Sequence, residues 1–271
     1  MAQLYFLGNS TESQMFGCVI QTEEKTIVID GGTPGDAQQL TNFLKENANS
    51  TVDAWFFTHP HHDHIGAFIR ICKNNPEIVI HKIYCRFPTV EMLKKYELRS
   101  ESELAMWIEF EKLISTRFCN HFCAVKKGDV FEFDQLKVNV LRVFNENITR
   151  NFTNNSSAVY RIDSQDKKVL ILGDLGVDAG NEVMELCPAQ SLYADYTQLA
   201  HHGQDGVSKE FYEYIKPRIC LWASPEWLWN NDNGNGFDTG PWKTVQTRQW
   251  MQGLGVTEHI VEKDGITKIC F

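Results

Sequence analysis

The sequence has no apolar run near the roughly 18 residues that a membrane-spanning helix requires, so we expect no membrane span. Positive charge is also scarce, because 26 Lys and Arg residues face 35 Asp and Glu residues and leave a formal charge of −9. This balance argues against broad binding to nucleic acid or anionic lipid and favours a small-molecule substrate. The first residues, MAQLYFLGNSTESQ, carry no basic segment followed by an apolar one, so we expect no secretory signal.

The sequence also lacks the closely spaced cysteines of a disulfide framework. Its eight cysteines are scattered, mostly within apolar stretches such as GCVI, RICLW and KICF. Such a distribution is typical of buried thiols in a reducing compartment, so we expect a cytoplasmic protein. The one tight pair lies in CNHFC, with His121 between the two cysteines, and its spacing is not that of a usual zinc knuckle.

Several catalytic and organisational signals are missing as well. No nucleotide-binding glycine motif, no Ser-His-Asp or cysteine-based triad, no internal repeat and no Pro/Ser-rich linker occurs. The composition, with 42% hydrophobic and 23% charged residues, is that of a folded globule long enough to bury a core without disulfides. We therefore expect one domain over residues 1–271.

Short apolar segments alternate with helical patterns along both halves of the chain. The segments LYFLG, FGCVIQ and KTIVID predict a strand meander, and VDAWFFT predicts a strand buried on both faces. Hairpins are predicted at Asp134-Gln135 and at Asp264-Gly265, and Asp36 is predicted to cap the first helix. Helices are predicted at about 37–47, 64–74, 89–118, 178–186, 208–215 and 242–253. Two strand-rich halves flanked by helices predict an α/β fold, a four-layer αββα sandwich with two mixed β-sheets.

Histidine is the most informative residue type, because six of the nine histidines lie in two clusters. The first cluster follows the predicted strand VDAWFFT and contains His59, His61, His62, Asp63 and His64. Neutral imidazoles and carboxylates are good ligands for first-row metal ions. In an extended turn, His59 and His61 point to the same side and can bind one ion. Asp63 and His64 follow at a helix start and can face a second ion close by.

This pattern, H-x-H-x-D-H after an apolar strand, resembles the hallmark of the metallo-β-lactamase superfamily. Three further motifs extend the resemblance over nearly the whole chain: Asp30 in IVIDGG, Asp174 in VLILGDLG, and His201–Gly203 in LAHHG. The Asn/Ser-rich segment NNSSAV before GD and HHG is similar to the soluble domain of competence (DNA-uptake) channel proteins and to stand-alone hydrolases. His62 occupies a variable position of the motif, and no ligand role is assigned to it.

The resemblance implies a binuclear centre with two divalent ions, zinc first and manganese or iron as alternatives, and hydrolysis by a metal-bound hydroxide. Asp174 would bridge the ions, and Asp30 would brace the histidine loop from behind the ligands. The implied metal ligands are His59, His61, Asp63, His64, Asp174 and His201. The implied catalytic residues are Asp63, Asp174 and His202. Because His201 and His202 are adjacent, an exchange of their roles stays open.

The sequence departs from the superfamily at one ligand. Many members place a further histidine between the first cluster and GD, whereas this chain reads RNFTNNSSAVY there. The side-chain oxygen of Asn154 or Asn155 is the alternative donor, and it would favour manganese or iron over zinc. The remaining histidines, His81, His121 and His259, are expected at the surface or at the edge of the core.

Five of the seven tryptophans lie within residues 222–250. Trp222 and Trp250 are expected in the core. For Trp227, Trp229 and Trp242 two interpretations stay open: core packing, or an aromatic wall beside the metals that stacks on substrate.

The expected function is metal-dependent hydrolysis. A phosphodiester is the first choice of substrate, by analogy with the competence-type proteins, and lactam, thioester, lactone and sulfate ester bonds stay open. Two alternatives remain: a di-iron oxidoreductase of the same fold, and a catalytically degenerate module that only binds a partner. The sequence predicts no oligomeric state.

Overall fold

A computed structural model describes residues 2–97 and 100–271. The strands are β1 (Gln3–Phe6), β2 (Gly17–Gln21), β3 (Thr26–Asp30), β4 (Thr51–Val52), β5 (Ala54–Phe56), β6 (Val79–Ile80), β7 (Ile83–Cys85), β8 (Phe122–Ala124), β9 (Val130–Phe133), β10 (Leu136–Arg142), β11 (Val159–Asp163), β12 (Lys168–Ile171), β13 (Tyr196–Gln198), β14 (Ile219–Trp222), β15 (Glu258–Val261) and β16 (Thr267–Cys270).

The helices alternate with these strands. The α-helices are α1 (Ala37–Asn47), α2 (His62–Asn74), α3 (Val90–Glu97), α4 (Glu101–Ser115), α5 (Phe152–Asn155), α6 (Val177–Leu186), α7 (Ala189–Leu192), α8 (Lys209–Ile215), α9 (Glu226–Trp229) and α10 (Thr244–Gly253). Short 3-10 helices span Ala200–Gly203 and Glu262–Asp264. Within the described ranges, no helix is both long enough and apolar enough to cross a membrane.

Two seven-stranded sheets form the centre of the molecule, in the orders β16-β1-β2-β3-β5-β7-β8 and β15-β14-β13-β12-β11-β10-β9. In the first sheet, antiparallel pairs run from β16 to β3 and parallel pairs from β3 to β8. The second sheet repeats this arrangement, with antiparallel pairs from β9 to β12 and parallel pairs from β12 to β15. Both sheets are therefore mixed, as the sequence predicted.

Apolar side chains of both sheets fill the space between them. Phe56 of the first sheet stacks on Tyr84 with 4.5 Å between ring centroids, and it meets Tyr160 of the second sheet edge-on at 5.5 Å. Cys18 and Ile20 lie in the same cluster of buried residues as Val169 and Ile171, which come from the other sheet. Burial of these rings and aliphatic chains holds the two halves of the chain together.

Helices cover the outer face of each sheet. Leu40 of α1, Phe68 of α2 and Phe110 of α4 belong to one buried cluster with Trp55 and Phe57 of the first half. Val183 of α6, Phe211 of α8 and Met251 of α10 belong to another, with Leu170 and Leu172 of the second half. Three apolar layers separate four layers of secondary structure, and the predicted αββα sandwich is confirmed.

Two predictions about the helices need correction. The range 89–118 contains two helices, and residues 98–99 of that range lie outside the described residues. The second helix has its own start signal, because Ser100 Oγ accepts a hydrogen bond from the Glu103 amide at 3.2 Å. Asp36 precedes α1 as expected, but its carboxylate makes no capping bond. It accepts bonds from Ser10 and Thr33 instead.

The predicted hairpin at Asp264-Gly265 is wrong. β15 pairs in parallel with β14 of the second sheet, whereas β16 pairs antiparallel with β1 of the first. The 3-10 turn Glu262–Asp264 carries the chain from one sheet to the other. A turn signal is local, but the partner of each strand is chosen by burial far away in the sequence, so the turn alone could not identify a hairpin.

The central contact between the sheets gives a stability prediction. Phe56→Ala should lower the free energy of unfolding by about 3–5 kcal/mol, because it removes a fully buried ring and leaves a cavity. Urea unfolding of both proteins measures the difference. Phe237→Ala is the matched control. Because Phe237 is 63% exposed, this substitution should lower the free energy of unfolding by less than about 1 kcal/mol. Equal losses for the two variants would contradict the assignment of Phe56 to the central core.

Candidate metal centre

The candidate centre lies where strands of both halves end. The segment with His59 and His61 follows β5 and leads into α2, and Asp174 follows β12. The dipeptide His201-His202 lies in the 3-10 turn after β13. The folded chain thus brings together the first histidine cluster, Asp174 and the late histidine motif, although the first cluster is more than a hundred residues from the other two.

Asp174 is the point at which two groups of donor atoms meet. One group contains His59, His61 and Asp174, and the donor atoms within it lie within 4.8 Å of one another. The second group contains Asp63, His64, Asp174 and His202, and its donor atoms also lie within 4.8 Å of one another. All of these side chains are buried.

The distances within the first group suit ligands of one ion. His59 Nε2 lies 3.0 Å from His61 Nδ1 and 3.5 Å from Asp174 Oδ2. Two ligands of a tetrahedral zinc ion, each at about 2.1 Å, lie about 3.4 Å apart. Three donors of this group therefore converge as a shared cation requires.

The second group has the same spacing. Nε2 of His64 lies 3.2 Å from Asp174 Oδ1. Nε2 of His202 lies 3.2 Å from Asp63 Oδ2 and 3.4 Å from Asp174 Oδ2. Asp174 Oδ1 faces His64, whereas Asp174 Oδ2 lies between His59 of the first group and His202 of the second. The carboxylate therefore contacts donors of both groups, as a bridging ligand must.

Buried atoms without hydrogen-bond partners support the fit of a cation. His64 Nε2, His202 Nε2 and Asp174 Oδ1 are buried and make no directed hydrogen bond among the described residues, although His64 Nε2 and Asp174 Oδ1 lie 3.2 Å apart as an ion pair. An unsatisfied buried polar atom is costly, and a metal ion at this point would satisfy all three. The donor set of imidazole nitrogens and carboxylate oxygens also suits a first-row divalent metal.

Asp30 holds the histidine segment in place from behind the cluster. One carboxylate oxygen accepts from the Thr58 amide at 2.8 Å, and the other accepts from Thr58 Oγ1 at 2.6 Å and from His64 Nδ1 at 2.7 Å. With Nδ1 of His64 occupied, its Nε2 is the nitrogen that faces Asp174. Such support orients a ligand and raises its basicity.

The two motif glycines are required by the backbone. Gly173 before Asp174 has a φ of +57°, and a Cβ there would lie 2.8 Å from Thr58 Cβ. Gly203 after His202 has a φ of +77°, and a Cβ would lie 2.3 Å from Trp222 Cε3. Any other residue would push the ligand-bearing segments apart, which explains the glycines of GD and HHG physically.

The adjacent histidines have different surroundings. Both lie in the left-handed region, with φ of +52° for His201 and +57° for His202, so their rings diverge. His202 is fully buried, its Nδ1 is 2.8 Å from the Ala223 carbonyl oxygen, and its Nε2 faces Asp63 and Asp174. His201 is 20% exposed, and its Nε2 is 3.9 Å from Asp174 Oδ2. The geometry favours His202 over His201 as the ligand, which reverses the preference drawn from the sequence.

The two candidate asparagines also differ. Asn155 Oδ1 accepts bonds from the amides of Gly176 and Ala179 at the start of α6. Asn154 Oδ1 is buried and has no hydrogen-bond partner among the described residues. Asn154 is therefore the asparagine with an available oxygen.

Burial and neighbouring charges shift the pKa values of the histidines in the cluster. Burial lowers the pKa of His64, but the carboxylates of Asp174 and Asp30 outweigh burial and raise that pKa to about 10. Burial also opposes protonation of His202, yet Asp174 and Asp63 raise its pKa well above the ordinary value. The pKa of His59 is lowered, by burial first and by the charge of His64 second, which favours the neutral imidazole that a metal ligand must be.

A groove of about 720 Å³ opens beside the cluster between α2 and α4. The residues that line it include His61, His62, Asp63, Asp174, His201, Gln14, Ile69, Lys73, Ser100, Ser102, Glu103, Met106 and Glu109. No motif in the sequence pointed to Gln14 or Glu103. Glu103 Oε1 lies 4.0 Å from His61 Nε2, and Gln14 contacts Asp63.

The aromatic wall is not formed beside this groove. Trp229 meets Trp222 edge-on at 5.1 Å and lies under the guanidinium of Arg248 at 4.2 Å. Trp227 contacts Trp242 at 4.7 Å and faces a separate cavity with Glu12 and Glu226. Among the described residues that line the groove there is no tryptophan, so the wall interpretation is wrong.

The other histidines and the cysteines lie apart from the cluster. His121 Nδ1 bonds the carbonyl of His81 at the surface, and His259 accepts from the Trp222 indole at the edge of the core. All eight cysteines are free thiols, five of them buried. Cys270 is exposed although it lies in the apolar stretch KICF, because alternate residues of β16 face outwards.

Comparison with known proteins identifies the family to which this chain belongs. The profile described as "Metallo-beta-lactamase superfamily" matches residues 18–217, which is well over half of the chain. ComE operon protein 3 of Bacillus subtilis (strain 168) is 28% identical over 185 residues, covering 67% of this chain. The chain spans 21% of the length of that relative.

Solved structures share the fold. The metallo-beta-lactamase fold protein YhfI from Bacillus subtilis superimposes with a TM-score of 0.56 and 13% identity, over 99% of each chain. A diphosphatase from the PhnP family superimposes with a TM-score of 0.55 and 15% identity, over 100% of this chain and 98% of that one. At these identities the likeness concerns the fold alone.

The pKa shifts predict proton release on metal binding. His64 and His202 hold protons at neutral pH in the metal-free protein, because their pKa values are raised, and an ion at Nε2 must displace them. Affinity for zinc should therefore rise between about pH 7 and pH 9, with protons released to the buffer. Calorimetric titration in two buffers of different ionisation enthalpy measures the release. His121→Ala should behave like the unmodified protein, and binding without proton release would contradict the charge assignment.

Proposed function

The chain belongs to the metallo-beta-lactamase superfamily, and from this premise we propose that it is a metal-dependent hydrolase with two divalent ions on either side of Asp174. The observation that carries the proposal is the position of Asp174, whose two oxygens each lie within 3.5 Å of buried imidazole nitrogens. Zinc is the first choice, with manganese or iron as alternatives.

His59 and His61 are the proposed ligands of the first ion. Asn154 is proposed to take the place of the missing histidine, which its buried Oδ1 without a partner supports. An amide oxygen is a harder donor than imidazole, so this site would bind zinc less firmly and accept manganese or iron more readily.

Asp63, His64 and His202 are the proposed ligands of the second ion. His202 enters this set in place of His201, because its Nε2 is buried between two carboxylates. When bound, the ions would lower the pKa of water to supply a nucleophile near neutral pH, and they would polarise the bond to be cleaved.

His201 is proposed to take part in proton transfer, by accepting a proton at Nε2 that it can then pass to the leaving group. Its Nδ1 lies 3.1 Å from the Asp205 carbonyl oxygen, which can only accept, so Nδ1 carries the proton. Its Nε2 then offers a lone pair on the groove side, 3.4 Å from Asn154 Nδ2. A partly exposed imidazole at that point can exchange a proton between substrate and solvent.

A small phosphodiester is the first proposed substrate. A relative named as a ComE operon protein and a fold neighbour named as a diphosphatase support this choice, both by analogy. The formal charge of −9 favours a small substrate over a long nucleic acid. We also propose that the protein acts in the cytoplasm, given that all eight cysteines are free thiols.

Loss of Asp174 tests the proposal directly. The metal content of the purified protein is measured, and the protein is assayed with bis(p-nitrophenyl) phosphate, nitrocefin, thioesters and lactones. Asp174→Asn should lower kcat/KM at least about 100-fold for whichever substrate is cleaved, because the carboxylate common to both ions is lost. Asp166→Asn, at an exposed loop position, is the control and should retain full activity.

Three outcomes would count against the hydrolase. Activity that survives Asp174→Asn would come from a different site. Tightly bound di-iron together with reductase activity would establish the oxidoreductase instead. A protein that binds no divalent metal and cleaves none of the substrates would be a binding module.

The assignment of the two adjacent histidines gives a separate prediction. His202→Ala should lose about one equivalent of metal, because it removes a buried ligand. His201→Ala should keep both ions and lose about 10²–10⁴-fold in kcat, because it removes only a group that transfers protons. Elemental analysis and steady-state kinetics of the two variants measure this split. Loss of metal in His201→Ala but not in His202→Ala would restore the assignment made from the sequence.

A further inference from the structure

We propose that Gln14 is a positioning residue that sets the carboxylate of Asp63 for the second ion and ties it to the loop that carries His202. The inference rests on the proposed function, because it takes Asp63 and His202 as ligands of that ion.

Gln14 uses both ends of its side-chain amide. Its Nε2 donates to Asp63 Oδ2 at 3.1 Å, and its Oε1 accepts from Gln204 Nε2 at 3.0 Å. The direction of the amide is fixed, because a carboxylate accepts hydrogen bonds and cannot donate them. Gln14 and Gln204 are 190 residues apart, so this pair of bonds links the two halves of the chain at the cluster.

The Gln14 bond selects one oxygen of Asp63. Oδ2 accepts from Gln14 and lies 3.2 Å from His202 Nε2, which leaves the carboxylate a defined rotation about its Cβ–Cγ bond. A neutral amide holds the carboxylate without placing a competing positive charge beside a cation site. A lysine or arginine at the same point would repel the ion that Asp63 is proposed to bind.

Gln14 is presented by a segment that is anchored on both sides. Ser10 donates from its amide and its hydroxyl to Asp36 Oδ1, both at 2.9 Å, and the Trp227 indole donates to the Glu12 carbonyl at 2.7 Å. The Phe16 amide donates to the Asp63 carbonyl at 3.0 Å. These bonds hold the segment against the start of α2, so the side chain acts as a fixed support for Asp63.

The test measures metal binding rather than activity. Cobalt(II) is titrated into the metal-free protein, and the absorbance of each binding step is followed. The step that disappears in His202→Ala identifies the second ion. Gln14→Met keeps the length of the side chain and removes both hydrogen bonds, and Gln204→Met breaks the same connection from the other end. Gln38→Met is the matched control, because Gln38 is exposed on α1 and its side chain donates to the nearby Asn42 rather than to any residue of the cluster.

In Gln14→Met the affinity for the second ion should fall by about 10–100-fold, the usual effect of removing a group that supports a ligand. The first step should be unchanged. Gln204→Met should weaken the same step by a smaller factor, and Gln38→Met should match the unmodified protein. A general loss of folding would weaken both steps equally, so selective weakening of the second step is specific to positioning.

An unchanged second step in Gln14→Met would overturn the inference, as would weakening of the first step alone. Where Gln14→Met does not fold, judged by near-ultraviolet circular dichroism, an unchanged second step in Gln204→Met overturns it. If the unmodified protein shows no cobalt step, the proposed function fails and this inference with it. Two steps in the unmodified protein together with an unaffected Gln14→Met would sink this inference alone.

Discussion

The buried carboxylate of Asp174 is the constraint on which the rest of the site depends. A negative charge in the interior is costly unless positive charge surrounds it. In the described structure protonated His64 and His202 supply that charge, and their raised pKa values reflect it. Divalent ions would do the same more strongly. The carboxylate of Asp174 therefore draws positive charge to this point, from protons or from the metal ions proposed above, and it contacts donors of both groups.

The fold delivers these donors from two similar halves. Each half forms a sheet in which antiparallel strands give way to parallel ones, and the donor-bearing segments follow strands of the parallel part. Apolar packing such as that of Phe56 against Tyr160 holds the two sheets together. The left-handed backbone conformations of Gly173 and Gly203 then turn the segments that carry Asp174 and His202 towards the site. The core thus sets the approximate position of the ligands, and a few residues with left-handed backbone conformations set their direction.

The sequence predicted the sandwich, the histidine segment, the brace at Asp30 and the meeting of Asp174 with the late histidines, because each depends on a local motif at a strand end. It could not choose between His201 and His202, since the choice follows from two left-handed φ angles that no pattern encodes. The partners of the last strand and the packing of Trp229 depend on distant contacts. Gln14 carried no signal, because one glutamine in a polar turn is ordinary.

The most direct measurement of the central claim is the anomalous scattering of crystals grown with zinc or manganese, recorded on both sides of the absorption edge of the metal. We predict two anomalous peaks about 3.5–4 Å apart, with the carboxylate of Asp174 between them and His202, not His201, beside one of them. A single peak that Asp174 does not contact, or no peak at all in this cluster, would contradict it.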